Sequence, residues 1–162
     1  MRLRRLALSD REALAALADN EKVICYLSQF PSPYTLADAE AWIRKTGAEL
    51  VPLNFGVEVE SELAGACGLE LDHDQAEKAW LGYWLGERFW GRGLATRIVE
   101  LMVGYAFGEL GLKCLGATVH PDNLASQKVL GKNGFSVRSF QPGHLPIADR
   151  LIMDLKLPEP IK

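Results

Sequence analysis

The sequence predicts an α+β fold: a mixed, mostly antiparallel seven-stranded sheet with helices on both faces and one central β-α-β crossover. Three observations carry this. Apolar residues recur at helical spacing in the first third of the chain, and from Asn54 the period changes to two. Residues 79–126 then read as strand, glycine-bearing turn, long amphipathic helix and strand, a single crossover whose two strands run parallel if it is right-handed. Two more strand-like runs follow, so antiparallel pairing is expected on either side of the parallel pair.

The elements follow in order. Residues 3–8 read as a short first strand. Ser9-x-x-Glu12 has the form of a capping box opening a helix through Leu14, Leu17 and Ala18, and residues 23–27 add a helical turn. Phe30-Pro31-Ser32-Pro33-Tyr34 is a proline-broken loop carrying two aromatics. Thr35-x-x-Asp38 caps a second helix, with Trp42 and Ile43, that stops near Gly47. Phe55 to Val59 alternates, Glu60-Ser61-Glu62 turns, and residues 63–71 return as the hairpin partner. Asp72-His73-Asp74-Gln75 is a polar loop before the strand at 79–85. The crossover helix keeps Leu94, Ile98, Leu101 and Tyr105 on one stripe and ends where Gly111 suits a left-handed cap. After the strand at 114–119, Asn123 caps a short helix over 124–132, closed by Gly134. Strands over 135–140 and 149–157 flank a Pro/Gly loop with His144, and residues 158–162 form a plain tail.

At 162 residues the chain is sized for one domain, placed at residues 1–157. Hydrophobic content of 48% and charged content of 24% describe an ordinary globular protein. The net charge of −3 argues against a nucleic-acid partner held mainly by phosphate contacts. No run approaches the roughly 20 apolar residues of a membrane span, and Asp10, Arg11 and Glu12 interrupt the Arg-rich start before a signal-peptide core accumulates. Cys25, Cys67 and Cys114 are odd in number and widely spaced, which fits reduced thiols in a cytoplasmic protein. His73, His120 and His144 lack metal-ligand spacing, so no metal is expected.

The turn Gly86-Glu87-Arg88-Phe89-Trp90-Gly91-Arg92-Gly93-Leu94-Ala95 carries the chemistry. Gly91 and Gly93 have no Cβ, so the backbone can take dihedrals closed to other residues and let an oxyanion approach the amides. The helix that follows directs the positive end of its dipole at the glycines, and Arg92 adds a formal charge; such a turn binds an anion, most often a phosphate. A dinucleotide fingerprint is the nearest competitor. It requires Gly or Ala where Thr96 stands and an acid where the next strand ends in Val119-His120, and both requirements fail.

The element order, Trp90-Gly91-Arg92-Gly93-Leu94-Ala95, Asn123-x-x-Ser126 and Lys132-x-Gly134-Phe135 together resemble the GCN5-related N-acetyltransferase (GNAT) superfamily. The opening Leu3-Arg4-Arg5-Leu6, the stretch Pro33-Tyr34-Thr35-Leu36-Ala37-Asp38-Ala39-Glu40 and Leu81-Gly82-Tyr83-Trp84-Leu85 are most similar to its ribosomal-protein N-terminal acetyltransferase branch. The resemblance implies acetyl-coenzyme A as co-substrate and a primary amine as acceptor, a protein N-terminus or a small molecule, with attack in a ternary complex. It implies a monomer or homodimer. The coenzyme A frame of Gln or Arg, two residues, Gly, one residue, Gly or Ala falls on Trp90, Gly93 and Ala95, so Trp90 replaces the usual first side chain.

By resemblance, Leu85, Trp90, Gly91, Arg92, Gly93, Leu94, Ala95 and Thr96 bind the cofactor, together with Asn123 on the pantetheine arm and Ser126 near the sulfur. Acyl transfer needs a neutral nucleophile, an oxyanion donor and stabilisation of the leaving thiolate. The resemblance puts the backbone N–H near Leu85 in the second role and the Ser126 hydroxyl in the third. The branch often places a Glu two residues before its Gly-Tyr-Trp strand, where this chain has Trp80; Glu70 is the best remaining base, ahead of Glu58 and His73. Without a strong base an α-amine is the easier acceptor, being roughly a tenth to a sixth neutral at pH 7 against about one in 2,500 for lysine. Phe30, Tyr34, Tyr83, Trp84 and His144 are candidates to border the acceptor. Two other readings stay open: a non-catalytic acyl-coenzyme A-binding module, and a covalent carrier using Cys67 or Cys114.

Overall fold

The computed structural model describes residues 1–27, 30–51, 53–143 and 149–157. Seven strands, β1 (Arg2–Arg4), β2 (Asn54–Val59), β3 (Glu62–Leu71), β4 (Lys78–Leu85), β5 (Cys114–Val119), β6 (Ser136–Gln141) and β7 (Arg150–Lys156), form one sheet. Their order is β1-β2-β3-β4-β5-β7-β6, flanked by helices α1 (Arg11–Ala18), α2 (Glu21–Ile24), α3 (Leu36–Gly47), α4 (Leu94–Gly104) and α5 (Leu124–Lys132). The mixed, mostly antiparallel architecture is the predicted one. Strands β4 and β5 are parallel, pairing Lys78 with Cys114, Ala79 with Leu115 and Trp80 with Gly116. Every other pairing described in the sheet is antiparallel.

The chain forms two compact units, residues 1–68 with 83–95 and residues 69–82 with 96–162. In the first, Leu14, Ala18, Tyr34, Ala39, Ile43 and Leu63 make a buried cluster, with Phe30, Trp42 and Trp84 packed against it. Leu14 and Ala18 recur at i and i+4, as do Ala39 and Ile43, so α1 and α3 each bury one stripe. Thr35 caps α3 as expected: its hydroxyl accepts from Asp38 N–H at 3.3 Å while the Asp38 carboxylate accepts from Thr35 N–H at 2.8 Å. The start of the chain differs from expectation. Strand β1 is only Arg2–Arg4, and Leu8–Asp10 coils into a 3-10 turn before α1. Asp10, not Ser9, accepts the open N–H there, from Ala7 at 2.8 Å. It also receives both Nη atoms of Arg4, at 2.7 and 2.8 Å.

In the second unit Ile98, Val99 and Met102 of α4 are buried, as are Ala106, Leu115, Ala117 and Leu130. Past Gly104 the helix widens into a π turn over Tyr105–Glu109, with Leu110 N–H reaching Tyr105 O at 3.1 Å; nothing in the apolar spacing announces it. Gly111 and Gly134 take the expected left-handed conformation, φ 65° and 86°. Among the described residues of this unit a charged pair is buried: Lys78 Nζ lies 3.8 Å from Asp154 Oδ1, and Arg138 donates to Asp154 Oδ2 at 3.1 Å.

Candidate functional site

Strand β4 ends where the glycine turn begins, and the backbone sets the direction of its last residues. Gly86 N–H donates to Ala64 O on β3 at 2.9 Å. Backbone polar groups alternate sides along a strand, so those of Leu85 point away from β3. The Leu85 carbonyl is taken by the indole of Trp90, whose Nε1 donates to it at 2.7 Å. Trp90 therefore has a side-chain partner within its own turn. At this position, where the family frame has Gln or Arg, it braces the end of β4.

Gly91 and Gly93 both sit at φ +72°, and nothing lies within 4 Å of where a Cβ would stand on either. Left-handed backbone, open space beside it and the N-terminus of the eleven-residue α4 suit the turn to an oxyanion. The pyrophosphate of coenzyme A is such a group. Arg92 is not an unopposed cation: its Nη2 pairs with Glu60 at 2.9 Å, and Arg88 pairs with Glu62 at 3.1 Å. Leu94, Ala95 and Thr96 are half-buried at the helix start.

The candidate acceptor aromatics divide. Phe30 stacks on Tyr34 with ring centroids 5.0 Å apart and meets Trp84 edge-on at 5.9 Å. Tyr34 is spent on the core at 7% exposure, and burial, with Asp38 nearby, raises its phenol above its ordinary range. Phe30 and Trp84 are half-buried. Tyr83 and Trp84 are adjacent on β4 and so face opposite sides of the sheet; Tyr83 is apart from the other three. His144 and the tail at 158–162 lie outside the described residues. Nearby, α1 and the turn border a cleft of about 580 Å³ lined by Ala13, Ala16, Leu17, Asn20, Gly86, Glu87 and Arg88. Sequence reasoning passed over Glu87, which receives Lys22 Nζ at 2.5 Å and Asn20 Nδ2 at 3.1 Å and so ties α2 to the turn.

In the second unit Asn123 caps α5, its Oδ1 accepting from Ser126 N–H at 3.0 Å. The cap uses the amide oxygen, not the Nδ2 donors. Ser126 is half-buried one turn on. Trp80 fills the place of the expected carboxylate with a structural side chain. Its Nε1 donates to Asp72 Oδ2 at 2.8 Å, its ring covers Gly116, where a Cβ would stand 2.7 Å from it, and Lys78 Nζ lies 4.2 Å over the ring. Glu70 and His73 are exposed at the end of β3 and in the loop after it. In the first unit, Arg2 and Arg4 hold the Glu58 carboxyl below its usual range by hydrogen bonds at 2.7 and 2.6 Å, which makes it a poor base. Burial pushes the Cys67 thiol up to about 12, and burial also raises Cys114. Neither is poised as a nucleophile. Among the described residues no group of His, Cys, Asp and Glu is placed to hold a metal, and no helix is long and apolar enough to cross a membrane.

The model of the acetyltransferase (GNAT) domain matches residues 1–136. The uncharacterized N-acetyltransferase p20 of Bacillus licheniformis is 27% identical over 154 residues, covering 93% of this chain and 86% of its own length. The uncharacterized N-acetyltransferase YoaA of Bacillus subtilis (strain 168) is 30% identical over 138 residues, covering 82% and 77%. Among solved structures, Mycobacterium smegmatis RimJ in complex with CoA-disulfide superposes with a TM-score of 0.83 at 22% identity, over 95% of this chain and 80% of that one; it shares the fold.

Proposed function

This chain belongs to the GNAT acetyltransferase family, and on that premise we propose that it moves an acetyl group from acetyl-coenzyme A to a primary amine, with a protein N-terminal α-amine as the favoured acceptor. The observation that carries the cofactor half is the pair of glycines at φ +72°, with open space where each Cβ would be, at the start of α4. When bound, acetyl-coenzyme A supplies an activated thioester. The amides from Gly91 to Ala95 hold its pyrophosphate; for Asn123, in the second unit, the pantetheine role is what the family resemblance implies. Leu85 N–H, aimed away from β3 and steadied by the neighbouring Trp90–Leu85 bond, donates to the thioester carbonyl oxygen. For Ser126, in the second unit, the family resemblance implies proton donation to the departing sulfur. Phe30 and Trp84 border the acceptor.

The acceptor half rests on what stands at the base positions. Trp80 is committed to packing, Glu58 to two arginines, and Glu70 is exposed. An amine that is already partly neutral at pH 7 needs least from such a protein. The same observation favours the second reading, a retained fold that binds acyl-coenzyme A without turnover. Thiol release from acetyl-coenzyme A, measured across peptides with free or blocked N-termini, lysine peptides and small amines, separates the two. Release with free N-termini is expected; tight binding with background release on every acceptor establishes the binding module, and rapid release with blocked lysine peptides alone removes the α-amine assignment.

A further inference from the structure

Both arginines of the glycine turn, Arg88 and Arg92, are paired to one hairpin tip. Arg92 meets Glu60 and Arg88 meets Glu62, at 2.9 and 3.1 Å, and all four residues belong to the first compact unit. Glu60 and Ser61 are the two central residues of the β2–β3 turn, closed by the Val59–Glu62 pair, and both are left-handed, φ 53° and 68°. Turns of this kind favour Asn and Gly, since a Cβ strains the backbone there. A glutamate there is held in a strained backbone conformation. What it supplies is a carboxylate beside Arg92.

We propose that Glu60, seconded by Glu62, sets the anion affinity of the glycine turn by competing with an incoming phosphate for its guanidinium groups. The inference rests on the coenzyme A reading above. Both pairs are solvent-exposed, with side-chain exposures of 44% and 78% for Arg92 and Glu60, so the carboxylates are displaceable. The hairpin tip weakens ligand holding and speeds release without closing the site.

The test is calorimetric titration of coenzyme A into the full chain as wild type, E60N, R92Q, E60N/R92Q and E77Q. Asn suits the left-handed position, so E60N is expected to fold at least as well as wild type, read by its thermal midpoint. E60N is expected to lower the Kd by about two- to fivefold, the range of an exposed ion pair. E77Q removes the same charge from a pair with Lys113 and is expected to leave the Kd unchanged; R92Q weakens binding, and adding E60N to it restores nothing. An E60N Kd equal to or above that of wild type overturns the inference, as does an equal gain in E77Q or a gain that survives R92Q. Binding to no variant overturns the coenzyme A reading and this inference with it, whereas wild-type binding that E60N leaves unchanged overturns this inference alone.

Discussion

Gly93 carries two demands that a single substitution confounds. Its φ of +72° strains any L side chain, and the space beside it is open. A valine there costs about 1–3 kcal/mol of stability through the backbone and also fills the space reserved for phosphate. Gly111 separates the two, since its φ is 65° with the same openness but it ends the crossover helix. G93V and G111V are expected to lose similar stability in chemical denaturation, and only G93V to abolish coenzyme A binding. Equal loss of binding in both would show that strain, not the cradle, is responsible. Glycines such as these were legible in the sequence because glycine takes a left-handed turn more cheaply than any residue with a Cβ. Glu60 was illegible for the same reason: glutamate is a poor marker of that conformation, and its purpose shows only once Arg92 is seen beside it. Trp90 was legible as a departure from the family frame, but its partner, the Leu85 carbonyl, depended on the path of the turn.

Among the elements, those with local determinants were read closely. Thr35 and Asp38 start α3, Asn123 starts α5, and β5 has the predicted bounds. Strand β1 was overextended because its end is fastened by charges outside the apolar pattern: Arg4 bridges nearby Asp10 and distant Glu58. That fastening has a pH signature. The Asp10 carboxyl is held below its ordinary 3.8, first by hydrogen bonding from Arg4, against a smaller opposing effect of burial. A depressed folded pKa contributes stability that is fully present above about pH 5 and is lost as pH falls through 3.8 and on through the folded value. D10N keeps an acceptor for Ala7 N–H but loses the charge. We expect it to cost about 1–2 kcal/mol at pH 7, since the pair is partly exposed, and the gap from wild type in urea midpoints to narrow towards pH 3. A gap of constant size across that range would mean that shape, not charge, holds β1.

For the molecule as a whole, the fold and the glycine turn were legible because they depend on backbone: element order, left-handed glycines and a helix start. Base and acceptor depend on where side chains end up, and there the structure redistributes roles. Tyr34 goes to the core, Tyr83 to the opposite sheet face, and Trp80 onto Gly116. Among the described residues no carboxylate is placed as an evident base, so the proposed reaction leaves proton loss to the acceptor itself. The rate should then follow the amine's own titration. At saturating acetyl-coenzyme A, kcat/KM for a peptide with a free N-terminus should rise about tenfold per pH unit below pH 7, bend near pH 8, where an α-amine is about half neutral, and level by about pH 9. Any lysine side chain that is accepted should keep rising past pH 9, towards its pKa near 10.4. A protein base would instead impose one shared breakpoint on both acceptors, because it titrates in the free enzyme whatever amine is offered. Coincident breakpoints would therefore assign the proton to a side chain, and E70Q would identify it if Glu70 is that group: its profile alone would lose the break.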